Sequence, residues 1–181
     1  MSKFDSPFWE LVKGEHERAR TYCCRLVGNV DNGDDLYQDS LIAGFNAFGQ
    51  LRDVNSFKPW FYTIINNAFR GRVRRPWWRR ILAGNDELER GGGSVDPTGE
   101  YDAKRRLETA FAVLDAEDRI IVTLAELEGW KIAEIAELDA RSEGQIKMRL
   151  SRARSKMRQQ LIRMYPDLAR NLKESPGRTS V

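Results

Sequence analysis

The sequence predicts an all-α chain of two small helical domains, an N-terminal helical bundle and a C-terminal helix-turn-helix, joined by a flexible acidic linker. Three observations predict this. Apolar residues recur at the three-to-four-residue spacing of helices through both halves. A polar, acidic stretch containing Gly91-Gly92-Gly93 and Asp96-Pro97 separates the halves. Gly129 to Arg158 reads as two short helices with a tight turn between them, the second apolar on one side and basic on the rest. The expected division is a first domain over residues 1–81, a linker over 82–101, a second domain over 102–165 and a polar tail over 166–181.

In chain order, a first helix is expected from Pro7 to Val27, with Phe8, Leu11, Val12, Ala19, Tyr22, Cys23, Leu26 and Val27 as its apolar stripe. Asp31-Asn32-Gly33-Asp34 has turn composition. A second helix is expected from Asp35 to about Phe48, with Leu36, Leu41, Phe45 and Phe48 able to face a core and Asp34, Asp35, Gln38 and Asp39 clustered at its N-terminal end. Acids there suit the helix dipole. They equally suit docking of a basic partner, and spacing alone does not choose between the two. After a polar loop from Leu51 to Asn55, Ser56 caps a third helix, with Pro59 tolerated in its first turn. Its apolar side is Phe57, Trp60, Phe61, Ile64, Ile65 and Ala68. Its other face offers Tyr62, Asn66, Asn67, Arg70, Arg72, Arg74 and Arg75, groups that bind phosphates and hold unstacked bases. Pro76 ends this helix, and Trp77-Trp78 either covers the core or extends the basic surface.

The linker's length gives it an r.m.s. span of roughly 25 Å, enough for two domains to sit apart on one duplex. Beyond it, Leu107, Ala110, Phe111 and Leu114 mark one helix. Asp115 caps the next, with Ile120, Leu124 and Leu127 inward. A short helix from Lys131 to Leu138 precedes the basic one. The capping box Ser142/Gln145 starts the basic helix, and Ile146, Leu150, Ala153, Met157 and Leu161 form its buried face. Such a helix pair presents its second member to a DNA major groove.

The formal net charge of +3 conceals a block pattern. Residues 56–81 and 145–163 each carry 7 basic and no acidic side chains, whereas residues 82–144 carry 7 basic and 16 acidic. Two acid-free blocks far apart in sequence imply two polyanion contacts, and the acidic segments imply a protein surface as well. Cys23 and Cys24 make no disulfide framework, which points to a cytoplasmic chain with buried structural thiols. One histidine and no Cys/His cluster argue against a metal site, and no carboxylate cluster near a basic face suggests a catalytic constellation or a cofactor. No apolar run approaches the roughly 20 residues of a membrane span.

Four local patterns carry a family resemblance that covers roughly residues 7–162. Asp34-Asp35-Leu36-Tyr37-Gln38-Asp39-Ser40 is similar to an acidic E-D-L-V-Q-E-T segment. Ser56-Phe57-Lys58-Pro59-Trp60-Phe61-Tyr62 with Asn67 is similar to S-F-R-A-W-L-Y…N. Leu114-Asp115-Ala116-Glu117-Asp118-Arg119 is similar to L-P-x-x-x-R. Ile135-Ala136-Glu137 with Gly144-Gln145-Ile146-Lys147-Met148-Arg149-Leu150-Ser151-Arg152-Ala153-Arg154 is similar to I-A-E…G-T-V-K-S-R-L-H-R-A-R. In this order the chain resembles the bacterial extracytoplasmic-function (group four) sigma factors. The resemblance implies a dissociable promoter-specificity subunit whose partners are core RNA polymerase, promoter DNA and an anti-sigma factor. It implies core docking through Asp34, Asp35, Leu36, Gln38 and Asp39. It implies −10 recognition and opening by the loop ending at Asn55 with Tyr62, Asn66, Asn67, Arg70, Arg72, Arg74 and Arg75. It implies −35 duplex binding by Ser142, Gln145, Lys147, Met148, Arg149 and Arg152.

The chain departs from the family pattern at Asp139-Ala140, where a Leu-Gly-like pair is usual, and at Met148, which replaces a small polar residue. It departs also at Gly71, where aspartate is common, and at Trp77-Trp78. Two rival readings are a sigma-like module that only binds anti-sigma factors and a helix-turn-helix repressor. The first need not keep two DNA-suited basic blocks, and the second leaves the acidic cluster and the first block without a role.

Overall fold

The computed structural model describes residues 6–82 and 100–167. Among these residues every regular element is a helix, with no strand. Of the linker expected over 82–101, residues 83–99 lie outside the described residues, while 82 ends one helix and 100–101 begin the next; of the tail expected over 166–181, residues 168–181 lie outside them.

Helix α1 (Pro7–Val27) has the expected bounds, and both ends have a local cause. Ser6 accepts a hydrogen bond from the Phe8 N–H with Pro7 in the first turn, and Gly28 closes the helix at φ 78°, donating its N–H to the Cys24 carbonyl at 2.7 Å. Helix α2 runs from Val30 to Ala47, so the Asp31–Asp34 segment is its first turn and not a loop. The Asn29 side chain caps it by accepting from the Asn32 N–H at 3.0 Å. Gly33 lets α2 lie directly on α1: a Cβ there would sit 2.5 Å from the Cys24 Cα. Tertiary contact thus overrides the turn composition.

Two short 3₁₀ turns, Phe48–Gln50 and Val54–Ser56, lead into α3 (Phe57–Val73). The Ser56 side chain makes no cap bond. Asp53 does the capping a turn earlier, accepting from the Asn55 N–H at 3.0 Å. The core of this half is aromatic. Phe8 is fully buried and meets Trp9, Phe45, Phe48, Phe57 and Phe61 edge-to-face at centroid distances of 5.0 to 6.4 Å, pairs that each contribute about 0.5–1.5 kcal/mol beyond burial. Pro76 does more than end α3: it opens α4 (Pro76–Leu82), which buries Trp78 beneath the Arg72 guanidinium, 5.2 Å from the ring centroid. Trp77 remains 44% exposed. Of the cysteines, Cys23 is buried, and burial pushes its thiol well above the usual range.

In the second half, α5 (Glu100–Phe111) is followed by α6 (Ala116–Val122), capped by Asp115 accepting from the Asp118 N–H at 2.7 Å. One π turn, Thr123–Leu127, widens the end of α6 before Gly129 reverses the chain at φ 68°. Then come α7 (Ile132–Leu138) and α8 (Glu143–Met164). Helix α8 starts with the expected reciprocal box: Gln145 N–H to Ser142 Oγ at 3.2 Å, and Ser142 N–H to Gln145 Oε1 at 2.9 Å. Ile146, Leu150 and Ala153 are buried, as their spacing requires.

The α7–α8 turn passes through Ala140 at φ 51°, the one non-glycine residue among those described with a positive φ. The left-handed conformation costs an L-residue roughly 1–2 kcal/mol, while glycine loses about 0.5–1 kcal/mol more chain entropy on folding. Ala140→Gly is therefore expected to raise stability slightly, by about 0.5 kcal/mol, with a small increase in the chemical-denaturation midpoint as the measured outcome. A lower midpoint would show that the alanine methyl does more by packing than it costs in strain.

The two halves share one continuous core. At their junction Arg119 is 3% exposed and donates to the carbonyls of Leu26 (3.1 Å), Leu82 (3.1 Å) and Phe111 (2.7 Å), at the C-terminal ends of α1, α4 and α5. Burial pushes its guanidinium down to about 10, so it remains a cation at neutral pH.

Candidate nucleic-acid interface

The outward side of α8 lies opposite Ile146, Leu150 and Ala153. It presents Gly144, Met148, Ser151, Arg152 and Ser155, all exposed, with Met148 58% exposed. Lys147 is exposed at the flank of this face, paired with Glu143 one turn back at 3.1 Å. Ser142 and Gln145 sit at the helix start, where each also holds the other's N–H. Arg149 is turned away from this face. Its Nε donates to Asp118 at 2.8 Å and its terminal nitrogen to Asp115 at 3.0 Å, which ties α8 to the N-terminus of α6. Lys156 joins the same anchor through Asp118 at 2.6 Å. Burial of the Asp115 carboxyl opposes its ionisation, but the Asp118 backbone N–H and the Arg149 guanidinium outweigh that and hold it below the usual carboxylate range. Arg149 thus positions α8 in this structure, while Arg152 is the guanidinium that projects outward. Among the described residues it has no ion-pair partner, so it is available for phosphate or base contact.

Helix α3 carries the second basic surface. Lys58, Tyr62, Asn66 and Arg70 recur every four residues and form one stripe along it. The expectation of an open face there is corrected at two positions. Tyr62 is 1% exposed, its ring 5.0 Å from Tyr22 and 4.9 Å from Trp130. Asn66 is 2% exposed, its amide oxygen accepting from the Tyr22 hydroxyl at 2.6 Å. Both are drawn inward by residues distant in sequence. Asn67 is exposed beside Arg70, and Arg74, Arg75 and Asn55 are exposed. Arg70 is held across the junction by Glu117 and Asp139, each at 2.6 Å. The ion pair with Glu117 is the largest influence on both groups, raising Arg70 and lowering Glu117.

The acidic end of α2 divides similarly. Asp35, Gln38 and Asp39 are exposed and share a side, whereas Leu36 is fully buried. Leu36 is the core residue that the apolar spacing of the helix expects, and its place in the docking motif is corrected. Its neighbours in sequence face out because α2 packs on α1 and α3 along the Leu36–Ser40 line. Asp34 pairs with Arg20 at 2.7 Å. Asp39 pairs with Arg72, which also donates to the Asp35 carbonyl at 2.8 Å. Sequence reasoning missed Lys58, Trp130, Glu117 and Asp139 as members of the α3 surface. The four-residue spacing would have revealed Lys58, but nothing local reveals the other three.

No group of three or more His, Cys, Asp or Glu among the described residues is placed to hold a metal ion, and no described helix is long and apolar enough to cross a membrane. Compared with known proteins, residues 11–79 match Sigma-70 region 2 and residues 104–157 match Sigma-70, region 4. RNA polymerase sigma factor CarQ of Myxococcus xanthus is 26% identical, aligned over 90% of this chain and 94% of that protein. The ECF RNA polymerase sigma factor EcfG of Rhodopseudomonas palustris is 30% identical, over 76% of each. The sigma factor RpoE from Bartonella quintana, solved in complex with the anti-sigma factor NepR, shares the fold. Its TM-score is 0.62 at 23% identity, covering 85% of this chain and 96% of that one.

Proposed function

The chain belongs to the extracytoplasmic-function RNA polymerase sigma factors, and from that premise we propose how its surfaces divide the work of directing core polymerase to a promoter. The outward face of α8, with Arg152 and Lys147 at its basic positions and Met148 as its apolar one, binds the −35 element as duplex. The basic face of α3, with Asn67, Arg70, Arg72, Arg74, Arg75 and the Asn55 loop, takes the opened −10 strand. Asp35, Gln38 and Asp39 dock core polymerase, which performs the chemistry, so the chain itself is not an enzyme. The first domain spans residues 1–81 and the second 102–165, acting in the cytoplasm. A protein partner of anti-sigma type fits the same reading, because the RpoE neighbour is bound to one. The observation that carries the duplex assignment is the outward Arg152 on a helix whose start is fixed by a reciprocal cap.

The test is run-off transcription with core enzyme on genomic fragments, beside binding assays on the variants. Arg152→Ala is expected to weaken −35 duplex binding by about 1–3 kcal/mol while leaving core binding intact. Asp39→Ala is expected to weaken core binding and leave duplex binding intact. Equal damage by both variants in the same assay would overturn the division. An absence of chain-dependent initiation, where a control sigma factor works, would overturn the function.

A further inference from the structure

The α3 stripe is not open to a strand in this structure, and what covers it has the chemistry of a strand. Single-stranded DNA is held by aromatic faces that stack bases and by cations that meet phosphates. Tyr62 is the stripe's aromatic face, and the Trp130 indole lies against it at 4.9 Å. Lys58 and Arg70 are its cations. The Lys58 ammonium lies 4.9 Å from the Trp130 ring centroid. The Arg70 guanidinium meets both Glu117 oxygens, at 2.6 and 3.0 Å, and Asp139 at 2.6 Å, the forked geometry by which arginine also binds phosphate. These acids are held in place: Arg141 reaches Asp139 at 3.0 Å, and the Asp139 side chain is only 7% exposed. Arg25 adds a strut from α1, donating to the Leu127 carbonyl at 2.9 Å and to Glu128 at 2.7 Å.

We propose that Trp130, Glu117 and Asp139 form a docking edge on the C-terminal half that occupies the α3 stripe in place of an unpaired DNA strand. The edge and the strand then compete for Tyr62, Lys58 and Arg70. This rests on the reading of α3 as the strand-binding face. The edge is built on α6, α7 and the segment just before α7, so the outward face of α8 stays exposed while the stripe is covered. The free chain is therefore open to duplex and closed to single strand, and strand binding requires the halves to separate.

The experiment measures fluorescence anisotropy of the full chain with two probes, a short labelled oligo(dT) and a labelled duplex of mixed sequence. Trp130→Ala removes the indole that lies against Tyr62 without changing charge. Glu117→Gln/Asp139→Asn removes the carboxylates, and Glu10→Gln/Glu17→Gln makes the same charge change on α1, at exposed acids that face Lys13 and His16. Trp130→Ala and the Glu117/Asp139 variant are each expected to tighten oligo(dT) binding relative to duplex binding, on the order of tenfold for the latter. The control pair is expected to leave that ratio unchanged. Circular dichroism confirms that each variant is folded, and the double variant carries the test if Trp130→Ala is not. An unchanged ratio in the folded edge variants, or an equal rise in the control pair, overturns the docking edge. That outcome is distinct from loss of the function itself, which appears as failure of the wild-type chain to support initiation with core enzyme.

Discussion

Arg119→Met is expected to destabilise the chain by about 2–4 kcal/mol, the cost of leaving buried carbonyls without a donor, and to lower its thermal unfolding midpoint by circular dichroism at neutral pH. Methionine fills the volume but donates no hydrogen bond. The last carbonyls of a helix have no intrahelical partner, and here three helices bring such carbonyls to one guanidinium. The Phe111 carbonyl also accepts from the Leu114 N–H at 3.1 Å and keeps that donor, whereas the Leu26 and Leu82 carbonyls, left without a donor, cost about 1–3 kcal/mol each. Hydrophobic replacement of a buried ion pair is often neutral, because both partners leave together. That compensation is closed off here, since the acceptors are backbone and remain. Arg119→Lys keeps the charge but lacks the fork that reaches three directions, so it should recover only a fraction of the loss. A methionine variant as stable as wild type would show that water replaces the guanidinium at the junction.

Gly33→Ala is expected to cost about 1–3 kcal/mol in denaturant unfolding, the range for forcing extra atoms into a packed site. In an exposed helix interior the same change gains up to about 1 kcal/mol from helix propensity. Here the new Cβ would lie 2.5 Å from the Cys24 Cα and 2.8 Å from its backbone nitrogen. Those atoms belong to a helix backbone and cannot rotate aside, so α1 and α2 must move apart. Gly14 supplies the control within the same fold: a Cβ there meets nothing within 4 Å, and Gly14→Ala should stabilise. If both alanines stabilise alike, the close approach of α1 and α2 is softer than its geometry. Separating the helices also shifts Asp34 from Arg20 and reorients the acidic face of α2. Core-polymerase binding should fall in Gly33→Ala and not in Gly14→Ala.

The sequence was readable where structure has a local cause. Ser6-Pro7 and Gly28 bound α1 because a cap, a preset φ and a left-handed exit all lie within a few residues. The Ser142/Gln145 box and the apolar spacing placed α8 and its outward face for the same reason. Asp31–Asp34 misled because its turn preference is real but weaker than the contact of Gly33 with α1. Ser56 misled because Asp53 had already taken over the capping. The site was least readable where partners are distant. Asn66 is turned inward by Tyr22, and Arg149 is bound by Asp115 and Asp118, residues whose proximity only the fold creates. Leu36 stood inside an acidic motif, yet its own burial follows from the helical period.

Arg72 is shared property. It holds Asp39 and the Asp35 carbonyl on one side and covers Trp78 on the other. A ligand that claims the Asp39 carboxylate deprives Arg72 of an acceptor and leaves its guanidinium readier for an anion. An anion that claims Arg72 equally leaves Asp39 readier for a cation. By thermodynamic reciprocity the two effects are equal in free energy. On the proposed division of surfaces, a single side chain therefore makes the acidic end of α2 and the basic end of α3 a coupled pair, in which filling either raises the affinity of the other.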